Sequence, residues 1–118
     1  MARTQMIVLV AVTDLFFKGK ITEVAHQVSG DIVLATSAEA VHDVAAQLSP
    51  SRMIIDLNET KFDPIETIKD LKKTHPSIHV VGFVSHVQRD VMARAKAVGC
   101  DEILARSVFV QKLPELLV

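Results

Sequence analysis

Five short runs of apolar, mostly β-branched residues alternate along the chain with five segments whose apolar residues recur at helical spacing. The runs are Met6 to Val12, Asp31 to Ala35, Arg52 to Leu57, Ile78 to Val84 and Asp101 to Ala105. The first, third and fourth are continuous instead of alternating, the pattern of strands covered on both faces. Between the runs, Phe17, Ile21, Val24, Ala25 and Val28 make one helical stripe, and Val41, Val44, Ala45 and Leu48 a second. Ile65, Ile68 and Leu71 make a third, Val87, Val91, Ala95 and Val98 a fourth, and Phe109, Leu113, Leu116 and Leu117 a fifth. This alternation predicts an α/β fold, a five-stranded parallel sheet between two helical layers. Right-handed crossovers favour the strand order 2-1-3-4-5.

Local signals sharpen the boundaries. Asp63, Pro64 and Glu66 read as a cap, a proline at the first helical position and an acid at the third. Ser85 with Gln88 predicts a second capping box. Gly30 and Gly99 stand where helices one and four need a left-handed residue to stop. No repeat or linker is visible, and residues 1–118 read as one domain.

Composition narrows the function. The chain has 118 residues, 49% of them hydrophobic, with four Gly and four Pro, which suits one packed core and excludes low complexity. A formal charge of −1 with interspersed signs predicts no nucleic-acid partner and no anionic membrane surface. The apolar run at 6–12 is too short to cross a bilayer. The single cysteine, Cys100, cannot close an internal disulfide and reads as a small buried residue, which predicts a cytoplasmic location. His26, His42, His75, His79 and His86 lack the spacing of a metal site and read as surface residues. Lys69, Lys72 and Lys73 read as the polar face of helix three.

In the predicted topology, reacting groups gather at the carboxyl ends of strands one and three, where the winding direction changes. Those ends carry Thr13 and Asp14, then Asp56 and Asn58; strand four delivers Val84 and Ser85, and strand five Arg106 and Ser107. The stretch Met53-Ile-Ile-Asp-Leu-Asn58, with Ala97-Val-Gly-Cys-Asp-Glu-Ile-Leu-Ala-Arg106, resembles the receiver domains of bacterial response regulators, a likeness covering nearly the whole chain. The resemblance implies a CheY-like, flavodoxin-like (βα)5 domain of two-component or phosphorelay signalling that acts through protein contacts and is not an enzyme.

It further implies that Asp56 is the phosphoacceptor, Asp14 a metal carboxylate and Asn58 a metal ligand through its backbone carbonyl. Ser85 would be the switch hydroxyl and Arg106 the cation that pairs with the phosphoryl group. Such a pocket needs a hard cation, here Mg2+ held weakly, because a carboxylate must approach an anionic phosphoryl group. The implied partners are a sensor kinase or other signalling protein and a second copy docked on the face of helix 4, strand 5 and helix 5. Val108, Phe109, Val110 and Leu117 are its candidate anchors.

The sequence departs from that pattern. One acid, Asp14, stands where the resemblance implies a pair, with Thr13 in the other place; Arg106 replaces a lysine, and the gap-free switch position is Val84. An atypical or degenerate receiver is therefore expected. Each residue also has a structural role open to it: Asp56 in a turn, Asp14 and Ser85 as helix caps, Arg106 as a solvated charge. Phe16 or Phe17 is expected to cover Asp56 and raise its pKa. The alternatives are a phosphorylation-independent interaction module and a small flavodoxin-like cofactor protein. The latter is disfavoured, since the loop after strand one has a single hydroxyl and the chain lacks Trp and Tyr.

Overall fold

The computed structural model describes residues 6–85 and 87–118. Five strands, β1 (Ile7–Ala11), β2 (Asp31–Ala35), β3 (Arg52–Asp56), β4 (His79–Val84) and β5 (Glu102–Ala105), alternate with five helices. These are α1 (Leu15–Gln27), α2 (Ala38–Leu48), α3 (Pro64–Thr74), α4 (Arg89–Ala97) and α5 (Arg106–Leu116). All pairings are parallel and the order is β2-β1-β3-β4-β5, as the alternation predicts.

The continuous apolar strands are the buried ones, because successive side chains enter two separate cores. Leu9, Met53, Ile55 and Val80 pack with Val41, Ala45, Ile68, Leu71 and Ala95 of α2, α3 and α4. Val8, Val10, Ile54, Val81 and Phe83 pack on the opposite face with Phe17, Ile21, Phe109 and Leu113 of α1 and α5. Phe83 and Phe109 stack there with centroids 4.1 Å apart and planes 8° from parallel. Such a pair adds about 1 kcal/mol beyond its buried area.

The helix boundaries reveal which local signals survive tertiary context. Asp63 caps α3, its carboxylate accepting from the Glu66 N–H at 3.1 Å, with Pro64 opening the helix. Gly99 takes a left-handed φ of 107° after α4, but after α1 the left-handed residue is Ser29, at φ 56°. Gly30 is required for a different reason: a Cβ there would lie 2.1 Å from the Leu117 carbonyl oxygen. The Ser85 capping box does not form. α4 begins at Arg89 with Gln88 as its N-cap, and the Gln88 amide oxygen accepts from Asn58 Nδ2 at 3.3 Å instead of capping. Val87 consequently lies in the loop, 73% exposed.

At the amino edge of the sheet, Lys72 Nζ donates to Asp101 Oδ2 at 2.7 Å and to the Ile78 carbonyl at 2.8 Å. Asp101 also accepts the Val80 N–H at 2.8 Å, and His79 Nε2 meets Glu102 Oε2 at 2.7 Å. Lys72 is thus a half-buried structural cation instead of part of a solvated face. Cys100 is buried, its thiol pushed up to about 11 by burial, consistent with a packing role. His86 lies outside the described residues.

Candidate functional site

The chain reverses its winding between β1 and β3, and both strands end in loops that carry the acids. β3 alternates Ile54 toward α1 and α5 and Ile55 toward the other layer, so Asp56 points with Ile54. It stands at the base of a crevice of about 350 Å³ walled by Thr13, Asp14, Leu15, Asn58 and the loop from Glu59 to Lys61. Asp56 is 7% exposed. Its Oδ1 accepts the Asn58 N–H at 2.9 Å, the turn geometry aspartate favours after a strand. Burial pushes its pKa up to about 6; the Asn58 N–H opposes that, and the charges of Glu59 and Asp14 reinforce it.

Asp14 reaches the same crevice but is engaged: it is the N-cap of α1, with Oδ1 accepting the Phe17 N–H at 3.0 Å. Asn58 bridges loops, its Oδ1 accepting the Ser85 N–H at 2.7 Å while its amide donates to Gln88. Ser85 is half-buried and borders a separate groove of about 860 Å³ between α1 and α5.

Arg106, the first residue of α5, borders that groove too. Its guanidinium lies 5.5 Å from the ring centroids of both Phe16 and Phe17. Those rings therefore hold the cation of α5 instead of roofing Asp56, and neither lines the Asp56 crevice. Asp14 and Asp56 share one crevice; Arg106 is turned away toward α1.

The residue that sequence reasoning missed is Glu59. Its Oε1 accepts the Thr13 N–H at 3.0 Å and its Oε2 accepts the Thr13 hydroxyl at 2.7 Å. The Thr60 and Lys61 N–H groups each add a bond to Oε2 at 3.1 Å. Partial burial opposes ionisation of Glu59, but the bonds from Thr13, Lys61 and Thr60 outweigh it and hold the pKa below the ordinary value. The signal available in sequence was an acid three residues beyond Asp56, facing a threonine where a second acid was expected.

A magnesium ion asks for several carboxylate or carbonyl oxygens free to coordinate. One oxygen of Asp14 caps a helix, one of Asp56 closes a turn, and both of Glu59 are occupied by donors. Among the described residues, no group of three His, Cys, Asp or Glu side chains is placed to hold a metal. This arrangement does not fit Mg2+ as it stands.

No family model matches the sequence, and no curated protein matches it. Solved structures do. A CheY-like receiver domain protein from Methanospirillum hungatei superposes with a TM-score of 0.83 at 12% identity, covering 95% of this chain and 90% of that one. The chain has the receiver-domain fold. A two-component response regulator from Legionella pneumophila gives 0.83 at 17% identity, with 95% of both chains covered. A response regulator from Burkholderia pseudomallei, solved with a phosphorylated aspartic acid, a calcium ion and citrate, gives 0.82 at 16% identity, covering 97% of this chain and 67% of that one. Within the receiver fold, the crevice at the β1 and β3 ends is built from this chain's own acids.

Proposed function

We propose that the chain is a receiver-like module of two-component signalling, one domain over residues 1–118, which transmits its signal by protein contact, with Asp56 as its phosphoacceptor. The observation that carries this reading is the position of Asp56: at the end of the central strand, at the base of a crevice, within a receiver fold. Its pKa of about 6 leaves it ionised at neutral pH, as a nucleophile must be. A carboxylate oxygen would attack the phosphorus of a phosphorylated kinase or a small acyl phosphate. The new O–P bond makes an aspartyl phosphate while the donor's bond breaks and its electron pair leaves with the donor. The added charge would then compete with Phe16 and Phe17 for Arg106, and Ser85 would follow through its tie to Asn58.

The partner in this reading is a sensor kinase or another signalling protein. A homodimer through α4, β5 and α5 rests on Val108, 38% exposed, and half-buried Val110, because Phe109 and Leu117 are in the core. No described helix is long and apolar enough to cross a membrane.

A second reading, a pseudo-receiver that works without phosphorylation, is favoured by the engagement of Asp14 and Glu59. The test is incubation with acetyl phosphate over a range of Mg2+ concentrations, followed by intact-mass measurement of wild type and Asp56→Asn. A phosphoryl adduct on wild type that the variant lacks is the expected result. Wild type without an adduct at every Mg2+ concentration would replace the first reading by the second.

A further inference from the structure

The groove between α1 and α5 has a volume of about 860 Å³, against about 350 Å³ for the Asp56 crevice. It lies at the carboxyl ends of β4 and β5, the end of a parallel sheet at which ligands gather. Phe16, Val84, Val87, Ala105 and Val110 give it apolar walls, and Phe16 and Val87 are exposed although both are large and hydrophobic. An apolar hollow of this size with a few polar groups at its edge is what a small organic molecule needs.

The polar groups at that edge fix the sign of the ligand. Lys20 and Arg106 line the groove together with the acid Glu23, which leaves a positive balance. Among the described residues, the side chains of these three make no hydrogen bond or ion pair with one another or with any other group. Arg106 lies instead against the rings of Phe16 and Phe17, at 5.5 Å from each centroid. A ring face attracts the charge but offers no oxygen acceptor, so the N–H donors of the guanidinium remain to be used. A carboxylate answers that need with two parallel charge-assisted bonds. No rival stands nearby on α5, whose first turn contains no acid and whose start has no side-chain cap.

We propose that the groove between α1 and α5 binds a small aromatic carboxylate, its acid gripped by Arg106 and its ring laid against Phe16, Val87 and Val110. The exposed Phe16 ring favours an aromatic body over an aliphatic one, because offset or edge contacts between rings add to the burial of apolar area. The inference goes beyond the receiver reading and holds whether or not Asp56 accepts a phosphoryl group.

The probe is β-naphthoate at neutral pH, titrated into the whole chain and followed by amide NMR. The Lys20, Ser85, Ala105 and Val110 amides should shift together and saturate, with a dissociation constant of about 1 mM or below. Arg106→Gln should weaken binding about tenfold, and β-naphthylmethanol, which keeps the rings and lacks the charge, should bind wild type about tenfold more weakly than the acid does. Val87→Glu, which sets an anion at an exposed loop position of the wall, should also weaken it. Lys112→Gln removes a charge from an exposed position of α5 outside the groove and should leave the affinity unchanged.

Equal affinity for the acid and the alcohol would overturn the proposal, as would equal losses in Arg106→Gln and Lys112→Gln, which mean attraction by net charge alone. Saturable shifts confined to other residues, or no saturation at all, would overturn it as well. If the same four amides shift on dilution without naphthoate, the groove is covered by a second copy of the chain and the carboxylate reading falls.

Discussion

The two ends of the parallel sheet treat acidic side chains in opposite ways. At the amino edge, Asp101 has Lys72 at 2.7 Å and the Val80 N–H at 2.8 Å, and His79 lies nearby. The hydrogen bond and charge of Lys72, the Val80 N–H and His79 outweigh the effect of burial and hold the Asp101 pKa below the ordinary value. At the carboxyl edge, Asp56 is more deeply buried and is driven the other way, to about 6, with Glu59 and Asp14 adding repulsion. Arg106, at the carboxyl end of β5, lies against two phenylalanine rings and does not line that crevice. One edge pairs its acid with a cation; the other keeps an acid destabilised, as the proposed phosphoacceptor role would require.

The largest test of that contrast is Asp56→Asn. A raised folded-state pKa means that the folded protein binds the extra proton between about pH 4 and about pH 6, so stability falls as pH rises through that window. Above it, the variant should be more stable than wild type by about 2 kcal/mol, the shift being discounted for the solvent that still reaches the crevice. Below about pH 4 the two should converge. Urea unfolding at pH 8 and pH 4 checks both the size and the sign, and a destabilised variant at pH 8 would erase the contrast.

Asp101→Ala should do the reverse at the other edge. It leaves Lys72 and the Val80 N–H without their acceptor, at a cost of about 1.5 kcal/mol near neutral pH. Because the folded-state pKa is lowered, this stabilisation is complete above about pH 4 and is lost as pH falls through the folded value. The difference between wild type and variant in urea midpoint should therefore shrink on acidification, as for Asp56→Asn, but it carries the opposite sign: here wild type is the more stable at neutral pH.

Phe16→Ala is the finest probe. Phe16 is 61% exposed, so its hold on Arg106 is worth about 0.5 kcal/mol. The urea midpoint should barely move, while the Arg106 side-chain NMR resonances lose part of their ring-current shift. Unmoved resonances would mean that Phe17 alone positions the guanidinium.

The strands were legible from sequence because their apolar runs report burial on both faces, and the observed boundaries fall within one residue of the runs at each end. The α3 cap was legible because it is local in sequence: the Asp63 carboxylate accepts the Glu66 N–H three residues on and Pro64 opens the helix. Ser85 was misread for the converse reason: Asn58, 27 residues earlier, draws Gln88 and the Ser85 N–H into another arrangement. Glu59 was invisible to motif reasoning, since its meaning lies in Thr13, which only the pairing of β1 with β3 brings close. Phe16 or Phe17 was expected to cover Asp56, but the start of α5 offers both rings a cation that spacing along the chain does not reveal.

The tight fit of Gly30 under the Leu117 carbonyl carries a consequence for how the molecule is put together. That junction has no slack, so α5 can dock fully only once the bend leading into β2 has taken its final shape. A single added methyl there would act at a distance, unseating the last helix and with it the stacked Phe109 and the anchoring of Arg106. A site remote from the Asp56 crevice thus holds mechanical authority over the far rim of the sheet.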